Sequence, residues 1–177
     1  MTDHFDHDHP VEIMWQGRFI TTHRKGRWEY VSRSRGIEAG VLLALVGGDV
    51  LLVEQYRVPL GCNCLELPAG LIGDDEGEED PESAAARELE EETGYRPGKM
   101  EPLGLFYSSP GMVSESFHLF RATECVKVSD GGGVDGENIT VHRVPLNGVA
   151  DFIDAKRAKG CGIDTRMLLL LGSDILK

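Results

Sequence analysis

At 177 residues, 41% of them hydrophobic, the chain is long enough for one domain with a substantial core and too apolar for wholesale disorder. Its 30 acidic against 18 basic residues leave a net charge of −12, which argues against nucleic-acid binding, since that needs a basic footprint. No apolar run approaches the roughly 18 residues of a membrane span. The start, MTDHFDHDHP, lacks the apolar segment of a secretory leader, and Cys62, Cys64, Cys125 and Cys161 have no zinc-ligand spacing, so they are read as free thiols of a cytoplasmic protein.

In chain order, residues 1–10 interleave His4, His7 and His9 with Asp6 and Asp8 and are expected to form a mobile tail rather than a metal site. Residues 11–35 hold two apolar-rich runs joined near Arg24-Lys25-Gly26, a hairpin pattern. Trp15 and Trp28 lie in these runs, where an indole is usually there to pack; stacking on a planar ligand is the functional reading for Trp28. VLLALV and VLLVEQYRV then flank Gly47-Gly48-Asp49, a hairpin of continuous apolar strands. Such strands are buried on both faces, so helices are expected over a sheet. Arg57 ends the second of them, where a guanidinium is suited to gripping a phosphate with two donors. A short strand over 64–67 leads to Pro68-Ala69-Gly70.

Residues 73–95, GDDEGEEDPESAAARELEEETGY, hold eleven acids and one base, Arg87, and so carry nearly all the net charge. Asp80 as N-cap, Pro81 at the first helical position and Gly94 as C-cap predict a helix over 80–93. Glu88, Glu91 and Glu92 fall on one face, and like charges at this spacing repel. A hard divalent cation would reverse that penalty and recruit phosphate oxygens to its remaining positions. A solvated helix face is the plain alternative.

Downstream, strands are expected over 102–107, 116–122, 126–128 and 139–144, with a turn at Ser108 to Met112. Gly131 to Gly133 are expected to make a flexible loop whose exit carries Glu137, with Asp135 as a second candidate carboxylate. Helices over 147–159 and from Asp164 onward close the chain, with Met167 and the leucines that follow assigned to the core.

The spacing Gly73, Glu79, Arg87-Glu88-Leu89, Glu91-Glu92, Gly94-Tyr95 resembles the signature of the Nudix hydrolase family at every fixed position. Pro68-Ala69-Gly70 also looks like the usual lead-in, so either Gly70 or Gly73 fills the first glycine position, and residues 74–79 read as an insertion. Trp28-Glu29, VEQYRVPLGCNCLELPAGLI, Ser109-Pro110-Gly111 and the glycine loop ending in Glu137 resemble the ADP-ribose pyrophosphatase branch. The resemblance implies a Nudix-like α/β/α sandwich with a mixed sheet and an N-terminal β-hairpin extension, as a single domain over 11–177. It implies Mg²⁺, with Mn²⁺ the alternative, held by Glu88, Glu91, Glu92 and the Ala69 carbonyl, with Arg87 bracing the glutamates and Glu79 supporting them. Glu137 would be the catalytic base or a further ligand; Trp28, Glu29 and Arg33 would meet the base, and Arg57 the pyrophosphate. The implied reaction is hydrolysis of ADP-ribose to AMP and ribose 5-phosphate by a homodimer with exchanged hairpins. The glycine loop also resembles GDP-mannose-cleaving relatives, and a non-catalytic ADP-ribose-binding module is a third reading.

Overall fold

The computed structural model describes residues 6–34, 38–72, 80–133 and 136–175; Gly73, Glu79 and Asp135 lie outside them. In chain order its strands are β1 (Glu12–Gln16), β2 (Ile20–Lys25), β3 (Trp28–Arg33), β4 (Glu38–Val46), β5 (Asp49–Arg57), β6 (Cys62–Glu66) and β7 (Ala69–Ile72). Helix α1 (Pro81–Thr93) follows, then β8 (Tyr95–Arg96), β9 (Lys99–Tyr107), β10 (Ser116–Thr123), β11 (Val126–Lys127) and β12 (Thr140–Pro145). Helix α2 (Val149–Arg157), β13 (Gly162–Ile163) and α3 (Leu168–Ile175) complete it. No helix among the described residues is long and apolar enough to cross a membrane.

β4 and β5 meet only beside their turn, where Leu45 pairs with Val50 and Val46 with Asp49. Beyond it they diverge and each builds its own half of a mixed sheet. β4 takes β7 antiparallel and β10 parallel, with β9 antiparallel to β10. β5 takes β6 and β12, both antiparallel, and β13 runs parallel to β6. The chain crosses from one half to the other at Leu67-Pro68, where the Leu42 N–H donates to the Pro68 carbonyl at 2.9 Å.

The continuous apolar runs follow from two-sided burial, because successive strand residues point to opposite faces. Val41, Val50 and Leu52 pack with Leu65, Val144, Met167 and the α2 residues Val149 and Ile153. Their neighbours Leu42 and Leu51 pack with Phe120 and with Ala85 and Leu89 of α1. Two apolar layers thus sandwich the sheet, which is the α/β/α arrangement expected.

Four local expectations are corrected. The first N-terminal run divides into two strands, since Gly17 turns the chain: its N–H donates to the Ile20 carbonyl at 2.9 Å, and the Trp15 ring lies where a Cβ on Gly17 would stand. β1, β2 and β3 therefore form a three-stranded antiparallel sheet, with the hairpin at Gly26 as its second half. Ala69–Ile72, read as a lead-in to the acidic box, is a strand on β4. Gly131 to Gly133 are pinned rather than free to swing: the N–H groups of Gly132 and Gly133 donate to the carbonyls of Glu92 and Glu91 at 2.8 and 3.1 Å. These bonds satisfy carbonyls that the end of α1 would otherwise leave without partners. The helix near the C-terminus also begins differently, with a 3₁₀ turn Thr165–Met167 capped by Asp164 ahead of α3.

Candidate active site

Helix α1 is set at both ends. The Asp80 carboxylate accepts from the N–H groups of Glu82 and Ser83 at 3.1 Å, and Gly94, at φ 76°, donates to the Glu90 carbonyl. The buried side, through Ala84, Ala85 and Leu89, locks the helix's rotation against the sheet, so Glu88, Glu91 and Glu92 turn toward β7. Gly70 in β7 lies so close to Glu88 that a Cβ there would stand 2.1 Å from the carboxyl carbon. Gly70 is therefore held close to Glu88 for want of space, while Gly73, the other candidate for the first box position, lies outside the described residues.

Glu92 is 6% exposed and accepts the Ala69 N–H at 3.0 Å. Burial pushes its carboxyl up to about 8 against that hydrogen bond, and the charges of Glu88 and Glu137 add to the rise. Burial likewise raises Glu88, opposed by Arg87 and assisted by Glu91. Arg87 Nη1 stands 3.1 Å from both Glu88 Oε1 and Glu91 Oε2.

These residues border a cleft of about 730 Å³. Ala69, Gly70, Arg87, Glu88, Glu91, Glu92 and Glu137 form one side of its lining. Arg33 and Arg57 line it too, each already engaged: Arg33 Nε donates to Glu115 Oε1 at 2.6 Å, and Arg57 grips Glu66 with Nε at 2.6 Å and Nη2 at 2.8 Å. Trp28 and Glu29 do not line it; they lie at the far end of β3, with Trp28 52% exposed. Of the expected site residues that the structure describes, the fold brings together all but these two.

The donor set suits a hard divalent cation: four carboxylates crowd one wall, and their mutual repulsion adds to the burial that raises Glu88 and Glu92. Among the described residues no three Asp, Glu, His or Cys side chains already converge on an ion position, and Arg87 stands between two of the candidates.

Sequence reasoning missed Glu66, Glu115 and Arg166, and took Asp164 only as a helix cap. All four line the cleft. Glu66 had a signal, a carboxylate between Leu65 and Leu67 in an apolar strand, because a buried charge needs a partner. Glu115 had none, since Arg33 is 82 positions away, and the same holds for the link from Arg166 to Glu66 across 100 positions.

The family model of the NUDIX domain matches residues 34–160. An ADP-ribose pyrophosphatase of Bacillus subtilis is 37% identical over 117 residues, 66% of this chain and 62% of that protein. A GDP-mannose pyrophosphatase of Pectobacterium atrosepticum is 35% identical over 152 residues, 81% of this chain and 75% of that protein. The chain thus spans less than two thirds of the Bacillus subtilis relative. A solved structure described as an ADP compounds hydrolase superposes with a TM-score of 0.66 at 23% identity, covering 82% of this chain and 80% of that one, a likeness of fold.

Proposed function

The chain belongs to the Nudix hydrolase family, and on that premise we propose that it hydrolyses the pyrophosphate bond of a nucleoside diphosphate sugar, with ADP-ribose cut to AMP and ribose 5-phosphate. One observation carries the reading: four carboxylates, Glu88, Glu91, Glu92 and Glu137, share a cleft with the guanidinium of Arg57. A carboxylate wall alone repels a pyrophosphate, and an arginine wall alone binds it without activating water; the reaction needs both.

A divalent cation, Mg²⁺ or Mn²⁺, held by Glu88, Glu91, Glu92 and the Ala69 carbonyl, would neutralise phosphate charge and polarise the bond to be cut. Arg57 orients the phosphates through the donors that Glu66 leaves open. Arg87 keeps Glu88 and Glu91 poised and shields them from each other. Glu137 accepts the proton of the attacking water on a carboxylate oxygen.

Trp28 and Glu29 lie outside the chain's own cleft, and Ile13, Met14, Trp15 and Trp28 are exposed apolar side chains on the same N-terminal sheet. Both features support a homodimer in which this sheet of each copy reaches the other, bringing Trp28 to stack on the adenine.

GDP-mannose is the second reading, favoured by the GDP-mannose pyrophosphatase relative that matches 81% of the chain. A binding module without turnover fits less well, because each of the box glutamates Glu88, Glu91 and Glu92 is retained. The test is phosphate release, after phosphatase digestion, from ADP-ribose and GDP-mannose side by side with Mg²⁺ and then with EDTA. Metal-dependent cleavage favouring ADP-ribose is expected. Preference for GDP-mannose would move the substrate and keep the chemistry, whereas no turnover of either would overturn the proposal.

A further inference from the structure

The hold of Glu66 on Arg57 is part of a larger charged network in the cleft lining. Glu66, at the end of β6, is 2% exposed. Its two oxygens accept from Arg57 Nε and Nη2, and Oε2 lies 3.3 Å from Arg166 Nη2. Arg166 repeats the pattern with a second acid, since its Nε and Nη2 donate to Asp164 Oδ1 and Oδ2 at 2.6 and 2.8 Å. Arg166 also lies over the Phe117 ring, 5.9 Å from its centroid. Both guanidiniums line the cleft.

The geometry of a guanidinium makes this arrangement informative. It carries five N–H donors on two usable edges, one formed by Nε and Nη2, the other by Nη1 and Nη2. Glu66 and Asp164 each occupy the Nε edge of one arginine. What remains is the terminal edge carrying Nη1 on Arg57 and the Nη1 donors on Arg166, whose Nη2 also bridges to Glu66, and the fork held from behind fixes their direction. A lone arginine at a strand end would lose side-chain freedom when it binds a phosphate; these two have lost it already. The bridge from Glu66 to Arg166 couples them, although 109 positions separate Arg57 from Arg166.

We propose that Glu66 and Asp164 are positioning residues that turn Arg57 and Arg166 into one preset, two-armed clamp for the phosphates of the substrate. This rests on the reading of the cleft as a pyrophosphate site. Neither acid touches the substrate; each acts through the arginine that it holds. The two acids also balance the charge of the two arginines, so the empty clamp adds no net charge to the cleft.

Glu66→Gln keeps the size of the side chain and replaces one acceptor with a donor, which faces an arginine N–H and breaks the fork. Expected is a KM for the nucleotide sugar about tenfold higher with kcat within about threefold of the parent and the pH profile unmoved. Asp164→Asn, on the less buried acid, should act in the same direction through Arg166, and it serves if Glu66→Gln does not fold. Arg57→Lys should raise KM by itself, and adding Glu66→Gln to it should change little more, because the acid works through the arginine. Titration calorimetry with inorganic pyrophosphate in EDTA gives a readout free of turnover, and weaker binding by both acid variants is expected there. Additive effects in the double variant, or acid variants that bind pyrophosphate like the parent, would overturn the positioning role while leaving the pyrophosphatase reading intact. A parent chain that neither binds pyrophosphate nor cleaves a nucleotide sugar would overturn both.

Discussion

Gly70 and Glu88 stand in contact across the cleft's inner wall, so closely that a Cβ on Gly70 would lie 2.1 Å from the Glu88 carboxyl carbon and 2.3 Å from its Oε2. The glycine is required for space, because its backbone is not in the left-handed region. Strand β7 can thus approach α1 only where residue 70 lacks a side chain, and that approach aims Glu88 along the strand.

Gly70→Ala should therefore displace Glu88 rather than unfold the chain. A fall in kcat of tenfold or more is expected, with a stability loss of about 1–3 kcal/mol from overpacking. Steady-state kinetics and a thermal melt on one preparation check both; unchanged kcat would remove Glu88 from the reaction.

Glu92→Gln separates stability from activity. The amide oxygen can still accept the Ala69 N–H, while a buried charge is removed, so the variant should fold at least as well as the parent and lose most of its kcat. The pH dependence has a definite sign. A carboxyl raised from 4.5 to about 8 binds more protons folded than unfolded, so stability of the metal-free protein falls as pH rises from about 4.5 to about 8. The loss due to Glu92 is on the order of a few kcal/mol, and Glu92→Gln should flatten that part of the curve. Urea melts in EDTA across this range measure it.

The opposite sign is expected at Glu54, which is not among the residues lining the cleft. Burial alone would raise it, yet hydrogen bonds from Lys156, Asn63 and His142 bring it down to about 2. The stability it contributes is present above 4.5 and is lost as pH falls toward 2. Because Lys156 lies in α2 and His142 in β12, this loss should loosen α2 first. Hydrogen exchange at pH 3 should show faster exchange in α2 than in α1, and Glu54→Gln should show the same loosening already at neutral pH.

Gly133 is the fourth test. Its φ is 78°, and a Cβ there would stand 2.2 Å from Glu137 Oε2. Gly133→Ala should lose about 1–2 kcal/mol from the left-handed backbone. It should also lower kcat about tenfold or more by pushing Glu137 off its position, approaching the effect of Glu137→Gln. Full activity in Glu137→Gln would remove Glu137 from the role of base and this prediction with it.

Much of this protein can be read from local pattern. The caps Asp80 and Gly94, the continuous apolar runs around Gly47-Gly48, and the spacing of Glu88, Glu91 and Glu92 are short-range facts, set by backbone geometry within a turn or two. They determine the helix, the two-sided sheet and the carboxylate face without knowledge of any distant contact. The closeness of Gly70 to Glu88 could not be read this way, because it depends on which backbone passes beside the helix. The three-glycine loop looked free to move because glycine permits many conformations; only its pairing with the end of α1 revealed that the freedom is spent on close approach. The arginine clamp lay furthest from view. Arg57 and Glu66 are nine residues apart on adjacent strands and Arg166 is 100 positions beyond Glu66, so a buried carboxylate shared by two guanidiniums exists only once β5, β6 and the turn after β13 have packed together. Local sequence set the charges and their spacing; the tertiary fold alone decided which charge faces which, since burial and pairing belong to the packed chain.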